Sequence, residues 1–494
     1  MKRTTIRLDT NFQIGEVDPR IFGGFLEHIG RAVYQGVYDP DNNLSDKDGF
    51  RTDVMTALKK LNMTVIRYPG GNFVSGYHWM DGIGPKDNRP VIRELAWQSI
   101  EPNTFGTDEF IGLCKKMNWS PMITVNLGTG TPEEARNWVE YSNCPTGTKF
   151  ADMRQKNGNI DPFDVKLWCL GNEMDGPWQI GHVPARVYAI RAQQAAKMMK
   201  YTDSSIETVV CGSCAPSLSS YIDWDKKVLE HMGELTDYIS LHRYVGNDNN
   251  NTTDYLAVTN AIDKQIEEID AVCRMVQAKA RSNKRAYLCF DEWNVWYKNG
   301  NTDGEGKFAP HLVEEIYNLE DALVVAGFLN SFIRHADVVK IANIAQIVNV
   351  IAPIITNEND LLVQSIFFPF QMISQNGRGI SLRLEIDGPG YESKSYGYVN
   401  YIDASAIWNQ DKLSIFIINR SLDKNLELSI QLGDRQIKNI QNCAILSGKD
   451  PKDANSFENP ELLSIENYGK ANIIDDQVEF SVPILSFITL TLGL

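Results

Sequence analysis

The chain is short of positive charge. Its 494 residues hold 48 lysines and arginines against 63 aspartates and glutamates, a formal net charge of −15. Binders of nucleic-acid phosphates or anionic membranes need a basic face, so neither nucleic acid nor membrane is an expected partner. Cysteine is scarce too, at 8 residues, too few for a disulfide scaffold of this length. Most cysteines sit in apolar runs, as Cys169 and Cys289 do, where a free thiol behaves as a small hydrophobe. Cys211-Gly-Ser-Cys214 has CxxC spacing, but it ends a strand-like run instead of opening a helix, and no second pair completes a zinc site. No GxGxxG or GKS run follows a strand, so neither cofactor nor metal is expected. No apolar stretch reaches the roughly 18 residues of a membrane span, and no apolar segment follows Lys2 and Arg3 as in a signal peptide. The expectation is a cytoplasmic protein whose sequons at Asn62, Asn118, Asn251 and Asn419 are accidental.

What the sequence does contain is a regular alternation. Eight apolar, β-branched or aromatic segments recur: Ile21–Leu26, Thr64–Tyr68, Pro121–Asn126, Asp164–Leu170, Thr208–Cys211, Tyr238–His242, Arg285–Phe290 and Ile341–Gln346. Each is nearly continuous in apolar character, as strands buried on both faces are. Amphipathic stretches such as Val54–Leu61 and Ala185–Lys200 lie between them, and Thr107 is placed to cap another. Eight β and α units in alternation predict a closed (β/α)8 TIM barrel, α/β in class, over residues 16–377. Beyond it the period changes to two, in Leu413–Ile417, Leu426–Leu432, Val478–Val482 and Phe487–Leu492. That pattern predicts a C-terminal antiparallel β-sandwich over residues 378–494. The alternating Thr4–Leu8 segment leads to the expectation that residues 1–15 complete it.

In such a barrel, chemistry sits at the C-terminal strand ends. Those ends carry Glu27-His28, Arg67 to Asn72, Asn126, Asn172-Glu173, His242 to Tyr244, Asp291-Glu292 and Gln346. Two glutamates, Glu173 and Glu292, each terminate a long apolar strand, the fourth and the seventh, across the barrel mouth from each other. Glycoside hydrolysis needs such a pair: one carboxyl protonates the leaving oxygen and the other attacks, at a separation of about 5 Å when configuration is retained. The apolar Trp168–Leu170 stretch would raise the Glu173 carboxyl and suit a general acid. Hydrogen bonds from Arg67 and Tyr244 would hold Glu292 ionised as a nucleophile. A single strand-end glutamate is as readily solvated or capping; a facing pair is harder to explain that way. Trp79, Trp97, Trp178, Trp293 and Trp296 fall just after barrel strands, where rings can stack on sugar faces; Trp293 reads as core, and Trp97, Trp178 and Trp296 as possible aglycone contacts. Gly70-Gly71 would admit a ligand close to the backbone, or merely a tight turn.

The runs Gly23–Gly30, Arg67–Phe73, Trp168–Trp178 and Phe290–Trp296 together resemble the α-L-arabinofuranosidases of glycoside hydrolase family 51, in order along nearly the whole chain. The resemblance implies a barrel with a jelly-roll-like sandwich and metal-free, retaining, exo-acting hydrolysis of arabinan or arabinoxylan oligosaccharides. It makes Glu173 the acid/base and Glu292 the nucleophile, supported by Arg67 and His242. Glu27, Asn72, Asn172, Tyr244 and Gln346 would hold the arabinofuranose hydroxyls. It further implies an intracellular homo-oligomer, a hexamer. A related barrel glycosidase, an endo-glucanase or β-xylosidase, is the nearest alternative; a non-catalytic carbohydrate-binding protein would have lost one of the carboxylates or Arg67.

Overall fold

The computed structural model describes residues 3–494; Met1 and Lys2 lie outside the described residues. Eight parallel strands close into a barrel: Gly23–Phe25, Val65–Tyr68, Ser120–Val125, Leu167–Leu170, Glu207–Cys211, Tyr238–Val245, Tyr287–Val295 and Val339–Ala345. Helices such as Thr52–Lys60, Ala185–Thr202 and Thr259–Ala280 form the outer ring. The first strand is only three residues long, shorter than its apolar run suggests. Thr107 is the first residue of the helix Thr107–Met117 and not its cap; Gly106 is, its N–H donating to Glu109 Oε2 at 2.9 Å.

One end of the barrel is plugged by Val65, Met122, Leu167, Cys169, Val209, Tyr238, Cys289 and Ile341. Side chains two residues apart share a strand face, so the next inward positions lie one step nearer the mouth. From Val65 that step reaches Arg67, from Cys289 it reaches Asp291, and from Tyr238 successive steps reach Ser240, His242 and Tyr244. The apolar plug and the polar mouth are thus consecutive layers of the same strands.

The C-terminal β-sandwich is built from a ten-stranded sheet, in which Ile402–Asn409, Lys412–Asn419 and Ser486–Gly493 are antiparallel neighbours. The strand Thr4–Glu16 joins it, pairing antiparallel with Ile380–Asp387 and parallel with Leu426–Leu432. That parallel pair is the departure from a purely antiparallel sheet. The helix Leu319–Arg334, buried on every side through Ile333, lies against both the barrel strand Tyr287–Val295 and this sheet. It therefore reads as apolar all round instead of amphipathic. Its Asn330 and Arg334 reach Asp403 at 2.7 and 2.9 Å, and Arg334 also pairs with Asp263 at 2.9 Å. Arg420 closes on the other oxygen of Asp403. All eight cysteines are free, and seven are buried; among the described residues no helix is long and apolar enough to cross a membrane.

Candidate active site

A cavity of about 720 Å³ opens at the C-terminal ends of the barrel strands, with Glu27, Asn72, Glu173, His242, Glu292 and Gln346 among the residues lining it. Glu292 and Asp291 are neighbours in one strand, yet both contact Arg67: Nη1 lies 2.7 Å from Glu292 and Nε 3.0 Å from Asp291. Regular pleating would send two adjacent side chains to opposite faces. Here the register shifts between Cys289 and Glu292 on one side and between Phe290 and Trp293 on the other, and this irregularity turns both carboxylates toward the axis. Asp291 was visible at the strand end but had no assigned role. An aspartate in an apolar strand must find hydrogen-bond donors or a cation inside the fold, and that was its available signal.

Arg67 is fully buried and spans three groups, its third contact being Nη2 to Asn172 Oδ1 at 2.7 Å. Tyr244 donates its hydroxyl to Glu292 Oε2 at 2.9 Å. Both contacts expected for Glu292 are therefore present, but the electrostatic balance differs from the expectation. Burial raises the Glu292 carboxyl, assisted by Glu173 and Asp291, against the opposing pull of His242 and Arg67. Asp291 moves the other way: burial is outweighed by Arg67 and His242, which hold it below the usual carboxylate range.

His242 stands between the two strand-end glutamates. Its Nδ1 is 2.9 Å from Glu173 Oε1 and 3.6 Å from Glu292 Oε2, and its Nε2 faces Asp291 at 3.5 Å and the Ser240 hydroxyl at 3.3 Å. Burial disfavours an imidazolium, but Glu292, Asp291 and Glu173 overturn it and hold His242 well above the ordinary histidine range. Glu173 follows its strand at a left-handed φ of 43°, in a turn closed by the Gly176 N–H donating to its carbonyl at 2.8 Å. The Trp178 indole N–H, further along the same segment, donates to Glu173 Oε2 at 2.7 Å. The surroundings of this carboxyl are therefore polar. Trp168, expected to wall it, packs outward against Trp138, because strand residues that alternate in direction cannot all face the site.

Glu27 occupies the other side of the cavity. Its Oε1 accepts from the Phe73 N–H and the Trp97 indole, each at 2.9 Å, and its backbone N–H donates to Gln346 Oε1 at 2.8 Å. Burial, with Glu292 nearby, pushes its carboxyl up to about 8. Trp97 is buried and committed to Glu27, whereas Trp178 is 52% exposed. Trp296 lines the wall edge-on to Tyr244, with its indole bonded to the Asn299 carbonyl at 3.0 Å. Trp79 stacks on Trp138 and Trp293 packs on Phe328 and Phe332, so both belong to the core. Asn126 braces its own loop through Gly128, Thr129 and Gly130 and does not line the cavity. Cys214, which does line it, was read from sequence only as half of a misplaced CxxC pair, and Ser240 was given no role.

Known proteins resemble this chain over nearly its whole length. Residues 57–261 match the family description "Alpha-L-arabinofuranosidase 1 domain" and residues 291–486 match "Alpha-L-arabinofuranosidase C-terminal domain". An intracellular exo-α-(1→5)-L-arabinofuranosidase from Bacillus subtilis is 45% identical over 473 residues, covering 94% of each chain. One from Acetivibrio thermocellus is 44% identical over 485 residues, covering 96% of each. The structure of a family 51 α-L-arabinofuranosidase from Bifidobacterium longum superposes with a TM-score of 0.96 at 34% identity, covering 100% of both chains. That of the Thermotoga maritima α-L-arabinofuranosidase, described as an arabinose complex, gives 0.90 at 33%, covering 99% of this chain and 100% of that one. A polar mouth on a plugged barrel, a sandwich tied to it through one buried helix, and end-to-end similarity of this extent make the chain a glycoside hydrolase belonging to the family 51 α-L-arabinofuranosidases.

Proposed function

We propose that the protein is a retaining, exo-acting α-L-arabinofuranosidase in which Glu292 is the nucleophile and Glu173 the acid/base. One observation carries the stereochemical part: carboxylate oxygens of Glu173 and Glu292 come within 4.8 Å of each other. Retaining glycosidases place their carboxyl groups about 5–5.5 Å apart, and inverting ones about 6.5–9.5 Å apart to admit a water. Glu292 attacks the anomeric carbon, forming an ester as the glycosidic C–O bond breaks, and the leaving oxygen takes its proton from Glu173. Water, giving its proton back to Glu173, then opens the ester and releases arabinose. Arg67 and Tyr244 orient the attacking carboxylate, and the imidazolium of His242 spreads positive charge between the two glutamates. Because Arg67 holds Asn172 Oδ1, the Asn172 amide N–H groups are left to donate to the sugar; their present acceptor, Gln179, is 3.5 Å away. Glu27, Asn72, Tyr244 and Gln346 complete the sugar pocket, with Trp178 and Trp296 at its aglycone side.

The names of the relatives support arabino-oligosaccharides as substrates and an intracellular location. A homohexamer rests on family resemblance alone, and sedimentation of the purified protein checks it. The deciding experiment is Glu292→Ala on an aryl α-L-arabinofuranoside followed by NMR. Turnover is expected to vanish and azide to restore release, with the wild type giving the α-anomer first. Normal turnover in the variant, or inversion in the wild type, overturns the assignment. Preference for the corresponding glucoside or xyloside favours the alternative glycosidase.

A further inference from the structure

The three groups at the centre of the cavity have a second chemical reading. Glu173, His242 and Glu292 each present one ligand atom, and these atoms all lie within 4.8 Å of one another. Two of the separations are 2.9 Å, from His242 Nδ1 to Glu173 Oε1, and 3.6 Å, from Nδ1 to Glu292 Oε2. A zinc ion with bonds of about 2.0–2.2 Å in tetrahedral geometry sets its ligand atoms roughly 3.3–3.5 Å apart, so the two histidine spacings straddle the required value, and the two glutamates, whose oxygens come within 4.8 Å of each other, would close on the ion as it binds. We propose that Glu173, His242 and Glu292 form an inhibitory site for Zn2+, with the fourth position open to the cavity.

The surroundings fit a borderline-soft cation better than a hard one. An imidazole among the donors suits zinc, whereas calcium and magnesium require six or more oxygens and find two carboxylates here. The far side of the imidazole is also prepared: Nε2 faces Asp291 at 3.5 Å and the Ser240 hydroxyl at 3.3 Å, the outer contacts that orient a metal-bound histidine. Arg67 and Tyr244 hold Glu292 from behind without occupying every lone pair. On binding, the Nδ1 proton leaves to solvent and the metal becomes the positive charge between the two glutamates. It occupies the space where the anomeric carbon must lie, so binding and substrate are mutually exclusive. That competition rests on the catalytic roles proposed above; the binding itself does not.

The test is calorimetry of the full-length protein, freed of metal by a chelator and titrated with zinc chloride, magnesium chloride or calcium chloride. One zinc per chain is expected, displaced by L-arabinose, with no heat from magnesium or calcium. His242→Gln and Glu173→Ala should each abolish binding, and Cys214→Ser, which removes the one cysteine lining the cavity, should leave it intact. Thermal melts identify any variant that fails to fold, in which case the other carries the test. In steady-state assays, zinc at ten times its dissociation constant should raise the apparent KM about elevenfold with kcat unchanged. Zinc binding that survives both His242→Gln and Glu173→Ala, or that is lost in Cys214→Ser, overturns the proposal. Should zinc bind as described while the Glu292→Ala variant still turns over, the site stands and the proposed mechanism falls.

Discussion

A methyl group on Gly71 would lie 2.1 Å from Glu27 Oε2 and 2.6 Å from its carboxyl carbon. The Gly70-Gly71 pair therefore makes room for a carboxyl of the protein itself and not directly for a ligand. Gly71→Ala must push Glu27 off its contacts with Phe73 and Trp97. A displacement of about 1 Å at such a group costs roughly 100-fold in kcat/KM. Kinetics on an aryl arabinofuranoside check this, and arabinose should protect the variant against heat less than it protects the wild type.

Trp178 reaches Glu173 by a hydrogen bond from a half-exposed ring. Trp178→Phe keeps an aromatic face, smaller than the indole, and removes the N–H that reaches Glu173 Oε2. The loss should depend on the leaving group. Hydrolysis of a natural linkage, which in the proposed mechanism takes a proton from Glu173, should slow by roughly 10- to 100-fold, the worth of a hydrogen bond to a charged group. A nitrophenyl substrate should slow much less. Equal losses on both would place the effect in binding and not in proton transfer.

Arg67→Met predicts a pH signature. Burial raises Glu292, and the guanidinium is one of the two groups opposing that rise. Without it the carboxyl binds its proton more tightly, so the acidic limb of the kcat/KM profile should move upward, by about 1–3 units. A profile that merely scales down without shifting would contradict this.

The joint between barrel and sandwich is acid-sensitive. Burial alone would raise Asp403, but Arg334 and Arg420 hold it below its ordinary value; Asp263 is lowered in the same way by Arg334 and His335. A lowered carboxylate contributes stability that is present above its unfolded value of about 3.9 and lost as pH falls through the folded one. Asp403→Asn leaves Arg334 and Arg420 short of a partner and should cost about 3–5 kcal/mol at neutral pH. Its melting temperature should also fall less steeply than that of the wild type between pH 5 and 3.

The barrel strands were legible because burial on both faces leaves continuous apolar runs, and the sandwich because one wet face leaves a period of two. The pair Glu173 and Glu292 was legible because both end such runs. What was not legible depends on direction. Trp97 and Trp178 look alike in sequence, yet one is buried against Glu27 and the other half exposed beside Glu173. The turning-in of Asp291 beside Glu292 comes from a register shift between neighbouring strands, which no local pattern encodes. The raised proton affinity of Glu27 comes from burial and from Glu292, distant in the chain, against the opposing N–H groups of Phe73 and Trp97.

The strand Thr4–Glu16 pairs Leu8 with Leu384 on one side and Leu432 on the other. During synthesis these residues leave the ribosome long before either partner, with both edges bare. At about 5–20 residues per second, their first partner follows roughly 20 to 75 seconds later. Throughout that interval the barrel can form while an alternating, half-apolar strand waits beside it. Until residues 380–387 and 426–432 have been made, both of its edges stay open to pairing with another chain.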